Sequence, residues 1–487
     1  MLTPSEFARI AVCHGTIATV SDPHEIGNVL GKEGVRFMID NGLETPFKFC
    51  FGAPSCVPAT NFETAGAEIN LADLQEILNW PEVNYLAEMM NYPGVLHRDP
   101  MVMDKIKLTL DLGKTVDGHA PGLRGKDAKK YIEAGISTDH ECFTKEEALD
   151  KLKHGMKILI REGSAAKNFE ALWELIDEYP DQIMLCSDDK HPNDLIKGHI
   201  NKLAQRAMDK GCNIFNVLKA CSLNPIRHYK IEMGLLQVND PADFCIVEDL
   251  KDFKVTETYI NGIQVAKNGK SSISRVKSKI INNFHCSPIS IDQIQVADKG
   301  LPINIIKVED GQLVTKKLID HVSSQNNLLA SDLSKDYLKL VVVNRYENTT
   351  PSVGFINGFG LQKGALASCV AHDSHNIIAV GVDDESIVSA INSIIHEKGG
   401  VSLSHSKKSL ILGLPIAGIM SNADGYHVAE RYEHIDNEAK NLGSTLNSPF
   451  MTLSFCALLV IPELKLSDKG LFDAGPFALT DLFINQI

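Results

Sequence analysis

The 487-residue sequence has no uninterrupted run of the about 18 apolar residues that a membrane-spanning helix requires. Its first residues, MLTPSEFARI, lack the charged start and apolar core of a secretory signal. Its eleven cysteines include no CxxC pair and are odd in number, which excludes a disulfide scaffold and points to free thiols in a reducing cytoplasm. Basic residues are also in deficit, 48 against 62 acidic, for a formal charge of -14. Non-specific nucleic-acid binding needs a basic footprint, so the charge argues against that class and fits a small-molecule enzyme that stays soluble. There is no internal repeat and no low-complexity tract.

Several catalytic templates are missing too. The chain has no GxxxxGK[ST] loop, no GxSxG elbow and no HExxH helix, which removes support for nucleotide-triphosphate, esterase and zincin chemistry. The H-x-E with P-C-x-x-C pattern of the zinc nucleobase deaminases is likewise absent.

What is present is an ordinary globular composition, 44% hydrophobic and 23% charged, at a length that suits about three domains. The informative stretch is GKTVDGHAPGLRGKDAKKYIEAGISTDHECFTKEEALDKL, residues 113–152. It reads strand, helix, strand, helix. His119 closes the first extended run, Thr115 to Ala120, and a helix from Lys126 to Ala134 follows. His140 closes the second run, Ile136 to Glu141, and Thr144 with Glu147 forms an S/T-x-x-E capping box for the next helix. In an α/β barrel the C-terminal strand ends are where chemistry sits, because the loops there converge over the mouth.

The same alternation runs on both sides. Thr3, Pro4 and Glu6 predict a capped opening helix. The strand Thr16 to Ser21 leads into the polar elbow Asp22-Pro23-His24-Glu25, then a helix from Gly34 to Asn41 and a strand from Phe47 to Phe51. Asn70 caps a helix to Asn79, and the strand Val83 to Met89 carries Glu88 near its end. Met156 to Ile160 is a strand, Phe169 to Tyr179 a helix, Gln182 to Cys186 a strand ending in Ser187-Asp188-Asp189, and His199 to Lys210 a helix. That makes seven strand–helix pairs where a closed barrel takes eight, the strand expected before the opening helix being the one not found.

From about Gly234 short extended runs alternate with Gly, Asn and Asp turns, which predicts a small β-element. Ser271 to Ser290 is a basic, polar linker or crossover. Beyond it lies an α/β or α+β domain. Its clearest piece is a strand from Ile377 to Val382 feeding a helix from Asp384 to Glu397, with an apolar stripe of Ile387, Ala390, Ile391, Ile394 and Ile395 and a stop at Gly399-Gly400.

Strand ends thus supply His24, Glu88, His119, His140 and Asp188. Each has a structural reading as well. Asp188-Asp189 suits a turn or helix entry, Glu88 an ion-paired barrel residue, and His24 an exposed loop. Their joint occurrence at one end of five strands favours a metal site. Imidazole with carboxylate suits zinc, iron or manganese. Such an ion can lower the pKa of its water to about 7, giving hydroxide for attack on an sp² carbon. A neighbouring carboxylate, for which Asp188 is the choice, then passes a proton to a leaving amine.

The segments MLTPSEFARIAVCHGTIATVSDPHEIGNVLG, YLAEMMNYPGV, DGHAPGLRG, STDHE and CSDDKHP resemble the bacterial adenine deaminase family of the amidohydrolase superfamily. So do INGFGLQKGALASCVAHDSHNIIAVG, LPIAGIMS and MTLSFCALLVIPELKLSDKGLFD. The resemblance spans essentially the whole chain. It implies a (β/α)8-type metal-dependent barrel over 1–233, a remnant of a small β-domain over 234–275 and a family C-terminal domain over 300–487. It also implies hydrolysis of adenine to hypoxanthine and ammonia for purine salvage, with manganese or iron, zinc being the alternative. By motif, Glu88, His119, His140 and Asp188 resemble the metal ligands, and Asp188 also the proton acceptor. His24 resembles a catalytic-pocket histidine. His372, Asp373 and His375 fall in a family segment, with a strand-entry turn as the other reading.

The family pattern also implies a His-x-His pair at the end of the first strand, shortly before the segment matching MLTPSEF, and this sequence contains no His-x-His. The expectation is a start upstream of Met1 or a fragment of impaired activity. We expect a cytoplasmic homo-oligomer acting on a small molecule, with no nucleic-acid or membrane partner. The rival expectations are a related amidohydrolase acting on another purine or a cyclic amide, and a non-catalytic truncated fragment.

Overall fold

The computed structural model describes residues 1–406 and 408–484. Its first part is a curled half-barrel of parallel strands in sequence order. Strands β1 (Ala18–Ser21), β2 (Lys48–Ala53), β3 (Val83–Met89) and β4 (Thr115–Gly118) form one arc. Strands β5 (Thr138–Asp139), β6 (Lys157–Arg161) and β7 (Ile183–Cys186) form the next. The seam between β4 and β5 is closed by Ser137 N donating to Val116 O at 3.0 Å and by Thr138 Oγ1 donating to Asp117 Oδ1 at 2.8 Å. Among the described residues these are the seven strands that the alternating pattern predicts. Their apolar residues, such as Val116, Ile158, Ile160 and Ile183, are fully buried against the outer helices.

Local departures have local causes. The helix expected from Gly34 begins ten residues earlier, at His24, runs to Leu43, and kinks at Gly31, whose φ of 58° and ψ of -141° interrupt the helical path. His24 and Glu25 therefore open a helix and do not sit in a free elbow. The opening helix, Pro4–Ala11, has Thr3 at its N-cap but no side-chain capping bond. Glu6 turns away instead, accepting from Gly425 N at 2.7 Å and Arg9 Nη1 at 2.6 Å, because a buried carboxylate gains more from a distant amide and a guanidinium than from its own helix start. The extended run expected to Glu141 stops at Asp139, whose carboxylate accepts from Glu141 N at 3.0 Å and Ala120 N at 3.3 Å and bends the chain there. Thr144 does cap the helix Lys145–Leu152. The helix expected over Phe169 to Tyr179 is two short ones, Phe169–Leu172 and Leu175–Glu178.

The small β-element is an antiparallel sheet of β8 (Phe244–Val247), β9 (Val255–Ile260), β10 (Ile263–Lys267) and β11 (Lys270–Ser271). Two of its hairpins turn at Asn261-Gly262 and Asn268-Gly269, with φ of 50° and 77°, then 48° and 73°, the left-handed pair that a two-residue type I′ turn demands.

After the irregular crossover 272–290 come β12 (Ile303–Lys307), β13 (Lys316–Asp320), a short hairpin of β14 (Ser324–Gln325) and β15 (Leu328–Leu329), then β16 (Tyr337–Val343), β17 (Ser352–Asn357), β18 (Ala365–Ser368), β19 (Ile377–Gly381), β20 (Gly400–His405) and β21 (Lys408–Gly413). All but the short hairpin join one sheet in the order β13-β12-β17-β16-β19-β18-β20-β21, antiparallel except between β12 and β17. The helix Asp384–Glu397 buries its Ile-rich stripe on one face of the sheet, and Gly425–Asn441 with Pro449–Phe455 covers the other. Lys398, at φ 55°, makes the left-handed turn that ends the first of these helices, one residue before the glycines expected to do so.

The two parts are stitched at the barrel mouth. Thr64 N donates to Asp468 Oδ1 at 2.9 Å, Asn376 Nδ2 donates to Thr64 O at 2.9 Å, and Asn283 Nδ2 in the crossover donates to Gly66 O at 3.1 Å. These bonds bring the β18–β19 loop over the C-terminal ends of the barrel strands.

Candidate active site

Glu88 is the penultimate residue of β3, while His119 and His140 directly follow β4 and β5. Gly118 sets the approach of the last two: a Cβ there would lie 2.3 Å from Thr138 O. Tyr131 Oη accepts from His119 N at 3.0 Å and donates to Met89 O at 2.8 Å, locking β4 against the end of β3. As a result Glu88 Oε2 lies 2.8 Å from His119 Nδ1 and 3.0 Å from His140 Nε2. One donor atom from each of the three falls within 4.8 Å of the others.

Glu141 stands behind this group, its Oε1 at 3.3 Å from His140 Nε2 and 3.6 Å from His119 Nδ1. Arg161, the last residue of β6, grips Glu141 with both terminal nitrogens and also binds Asp188 Oδ2 through Nη1. Asp188, at φ 49°, is thus tethered by a guanidinium beside the trio. His24 Nδ1 lies 2.8 Å from Asp22 Oδ2 and 3.7 Å from Glu88 Oε1. All five residues expected from the strand ends therefore reach one mouth, with Glu88, His119 and His140 in mutual contact and His24 and Asp188 flanking them.

The electrostatics follow from these contacts. Burial works to raise the Glu88 pKa, but the charges of His119 and His140 outweigh it and hold the carboxyl well below its ordinary range. Burial opposes the His140 charge, and Glu88 overcomes it, raising that imidazole to about 10. Asp188, although 31% exposed at its side chain, is pushed up by partial desolvation at the mouth and pulled below normal by Arg161 and His140.

Residues that strand-end reasoning passed over complete the site. Glu141 follows His140 directly, and Asp22 and Glu25 flank His24, so adjacency was the available signal. Arg161 ends a strand but is no ligand type. From the β18–β19 loop, His372 Nε2 comes within 3.0 Å of Glu25 Oε1 and 3.1 Å of Asp189 Oδ2, and His375 Nε2 touches Glu25 Oε2. Asp373 Oδ1 is 4.0 Å from His24 Nε2. These three do lie before a strand, yet their side chains face the barrel.

The sequence pattern of the amidohydrolase family matches residues 1–265, and that of the adenine deaminase C-terminal domain matches residues 312–478. A curated adenine deaminase from Sulfurovum sp. (strain NBC37-1) is 54% identical over 482 residues, covering 99% of this chain and 89% of the relative. The chain belongs to the adenine deaminase family. A second adenine deaminase, from Methanosarcina mazei, is 50% identical over 499 residues, covering 100% of this chain and 90% of its own length. Among solved structures, a β-aspartyl dipeptidase from Fervidobacterium islandicum AW-1 overlaps 54% of this chain and 77% of its own at a TM-score of 0.41 and 17% identity, too loose a likeness to bear on the site.

Membership of the amidohydrolase family implies a divalent metal, and the donors present fit one. The Glu88 trio offers two imidazoles and a carboxylate, and His119 Nε2 is buried without a hydrogen-bond partner.

Proposed function

We propose that this adenine deaminase family chain hydrolyses adenine to hypoxanthine and ammonia, with Glu88, His119 and His140 holding a divalent metal and Asp188 serving as proton acceptor. The observation that carries this reading is the convergence of Glu88, His119 and His140 within 4.8 Å at the barrel mouth of a chain 54% identical to a curated adenine deaminase. When bound, the ion supplies a Lewis-acid centre that lowers the pKa of water to about 7.

The chain's own residues do the rest. Arg161 keeps Asp188 ionised and aimed, so that its carboxylate can take a proton from the attacking water and return it to the departing amino group. Water oxygen ends on C6 of the purine and the amine leaves as ammonia, so one water is consumed for each ammonia released. His24, with Nδ1 2.8 Å from Asp22 Oδ2 and 3.7 Å from Glu88 Oε1, is read as a catalytic-pocket residue beside the trio. We also read Asp188, tethered by Arg161 beside the trio, as a further metal ligand.

Manganese or iron is the expected ion, with zinc as the alternative for this imidazole–carboxylate set. The eleven free cysteines favour a reducing cytoplasm as the compartment, and release of hypoxanthine from adenine there would serve purine salvage. We further read 1–233 as the barrel, 234–275 as the small β-domain, 300–487 as the C-terminal domain, and the working form as a homo-oligomer.

The test is ammonia release from adenine by the metal-depleted protein given manganese, iron or zinc, alongside a panel of other purines and cyclic amides. Release from adenine above the panel supports the reading. Turnover of another purine alone, or of nothing with any of the three ions, overturns it.

A further inference from the structure

Beside the Glu88 trio lies a second group of donors, drawn from both parts of the chain. Glu25 and Asp189 come from the barrel, His372 and His375 from the β18–β19 loop. One atom each from Glu25, Asp189 and His372 falls within 4.8 Å of the other two. His372 Nε2 stands 3.0 Å from Glu25 and 3.1 Å from Asp189, close to the spacing of about 3.4 Å expected for tetrahedral ligands about 2.1 Å from an ion.

Hydrogen bonding leaves this group unexplained. Both ring nitrogens of His375, Glu25 Oε2 and Asp373 Oδ2 are buried with no hydrogen-bond partner, and His375 is only 1% exposed. His375 Nε2 nevertheless touches Glu25 Oε2. The Glu25–His375 contact is therefore not a well-formed hydrogen bond. Buried polar atoms in that condition are rare in folded proteins, and an ion is one of the few things that accounts for several at once.

His372 also has the support a ligating imidazole needs. Its Nδ1 is 2.6 Å from Ser454 Oγ and its ring stacks on Phe455 at 4.7 Å and 12°, which fixes the ring and leaves Nε2 facing Glu25 and Asp189. The loop is braced from behind by the fully buried Arg345, whose backbone N–H donates to Asn376 Oδ1 at 3.0 Å and whose Nη1 donates to His375 O at 3.4 Å. Two carboxylates and two imidazoles balance the charge of one divalent cation.

We propose that Glu25, Asp189 and His372, with His375 on the second oxygen of Glu25, form a divalent-cation site between the barrel and the C-terminal domain, separate from the Glu88–His119–His140 group. An ion there ties the β18–β19 loop to the barrel mouth.

The test is cobalt(II) binding to the full chain after chelation, followed by elemental analysis after dialysis and by the visible spectrum of four-coordinate cobalt. Wild type is compared with His372→Ala, Asp189→Asn and Glu88→Gln. His372→Ala and Asp189→Asn are each expected to lose one cobalt equivalent, or to weaken it by at least about 100-fold, while keeping the equivalent that Glu88→Gln loses. Asp189 is 44% exposed at its side chain, so the Asn variant keeps the test usable if His372→Ala fails to fold. Unchanged cobalt stoichiometry and affinity in Asp189→Asn overturns the proposal. Loss of cobalt in Glu88→Gln alone overturns it equally, and leaves the Glu88 trio as a metal group untouched.

Discussion

Arg161 binds Asp188 directly, its Nη1 against Oδ2, from the end of the neighbouring strand. The contact holds the Asp188 carboxyl below its ordinary pKa against the opposing effect of partial desolvation. A proton acceptor must start ionised. Asp188→Asn, which keeps the shape and removes the basicity, is expected to lower kcat by about 10²–10⁴-fold while the metal held by Glu88, His119 and His140 is retained and KM for adenine changes little. Steady-state kinetics beside elemental analysis decide this, and a near-normal kcat would remove Asp188 from the role.

Removing the other partner moves a pH profile. In Arg161→Met the charge that depresses the Asp188 pKa is gone, so Asp188 protonates at a higher pH. The acid limb of kcat/KM should then shift upward in pH, activity being lost sooner as pH falls. An unshifted acid limb in a folded variant would mean that Arg161 is a structural brace for Glu141 only.

The Glu88 trio makes a prediction that does not depend on turnover. Glu88→Gln, His119→Asn and His140→Asn should each weaken metal retention by at least about 100-fold, since even the loss of an outer partner costs about 10- to 100-fold. Dialysis against a chelator series followed by elemental analysis reads this out. Full retention in all three variants would place the metal elsewhere.

The strand-end rule led to Glu88, His119, His140 and Asp188 because a parallel strand delivers its last side chains to one known place, and short β-branched runs between capped helices mark where those strands stop. The partners were harder to see for physical reasons. Glu25 lies in the first turn of a helix whose start is expected from the sequence at Gly34, since Gly31 breaks the periodicity without ending the helix. Glu6 has the spacing of a capping residue, but a tertiary amide at Gly425 outcompetes the local one. His372 and His375 approach Glu25 from more than 340 residues away in the chain, a proximity created by domain packing that no periodicity encodes.

Lys151 is a fully buried cation in the barrel wall, bound to Asp139, to Glu147 Oε1 at 2.8 Å and to Ala120 O at 2.7 Å. Removing one member of such a buried pair leaves the other charge uncompensated. Lys151→Met is therefore expected to lower stability by about 3–5 kcal/mol in urea unfolding. Asp139 is held below its unfolded pKa of about 3.9 by Lys151 despite its burial. Its contribution is thus complete above that pH and disappears as pH falls through the acid range. The gap between wild type and Lys151→Met should be widest near neutrality and narrow below about pH 4. A gap independent of pH would show that the loss is one of packing.

Lys465 gives the opposite sign. It is fully buried, donating to Leu313 O and Phe455 O at 2.9 Å each, with no carboxylate bound to it, and burial lowers its pKa to about 8. The unfolded chain, with a lysine pKa of about 10.4, holds that proton more tightly than the folded one between pH 8 and 10. Because stability rises with pH wherever the unfolded state binds more protons, this one group should add stability across that window, up to about 3 kcal/mol for a shift of this size. Buried thiols titrate in the same range with the reverse effect, as the raised pKa of about 12 at Cys456 illustrates. The informative quantity is therefore the difference between wild type and Lys465→Met, measured by urea unfolding at pH 7.5 and again at pH 10. Wild type should gain on the variant as pH rises. A constant difference would mean that Lys465 stays charged inside the fold, stabilised by its two carbonyls alone.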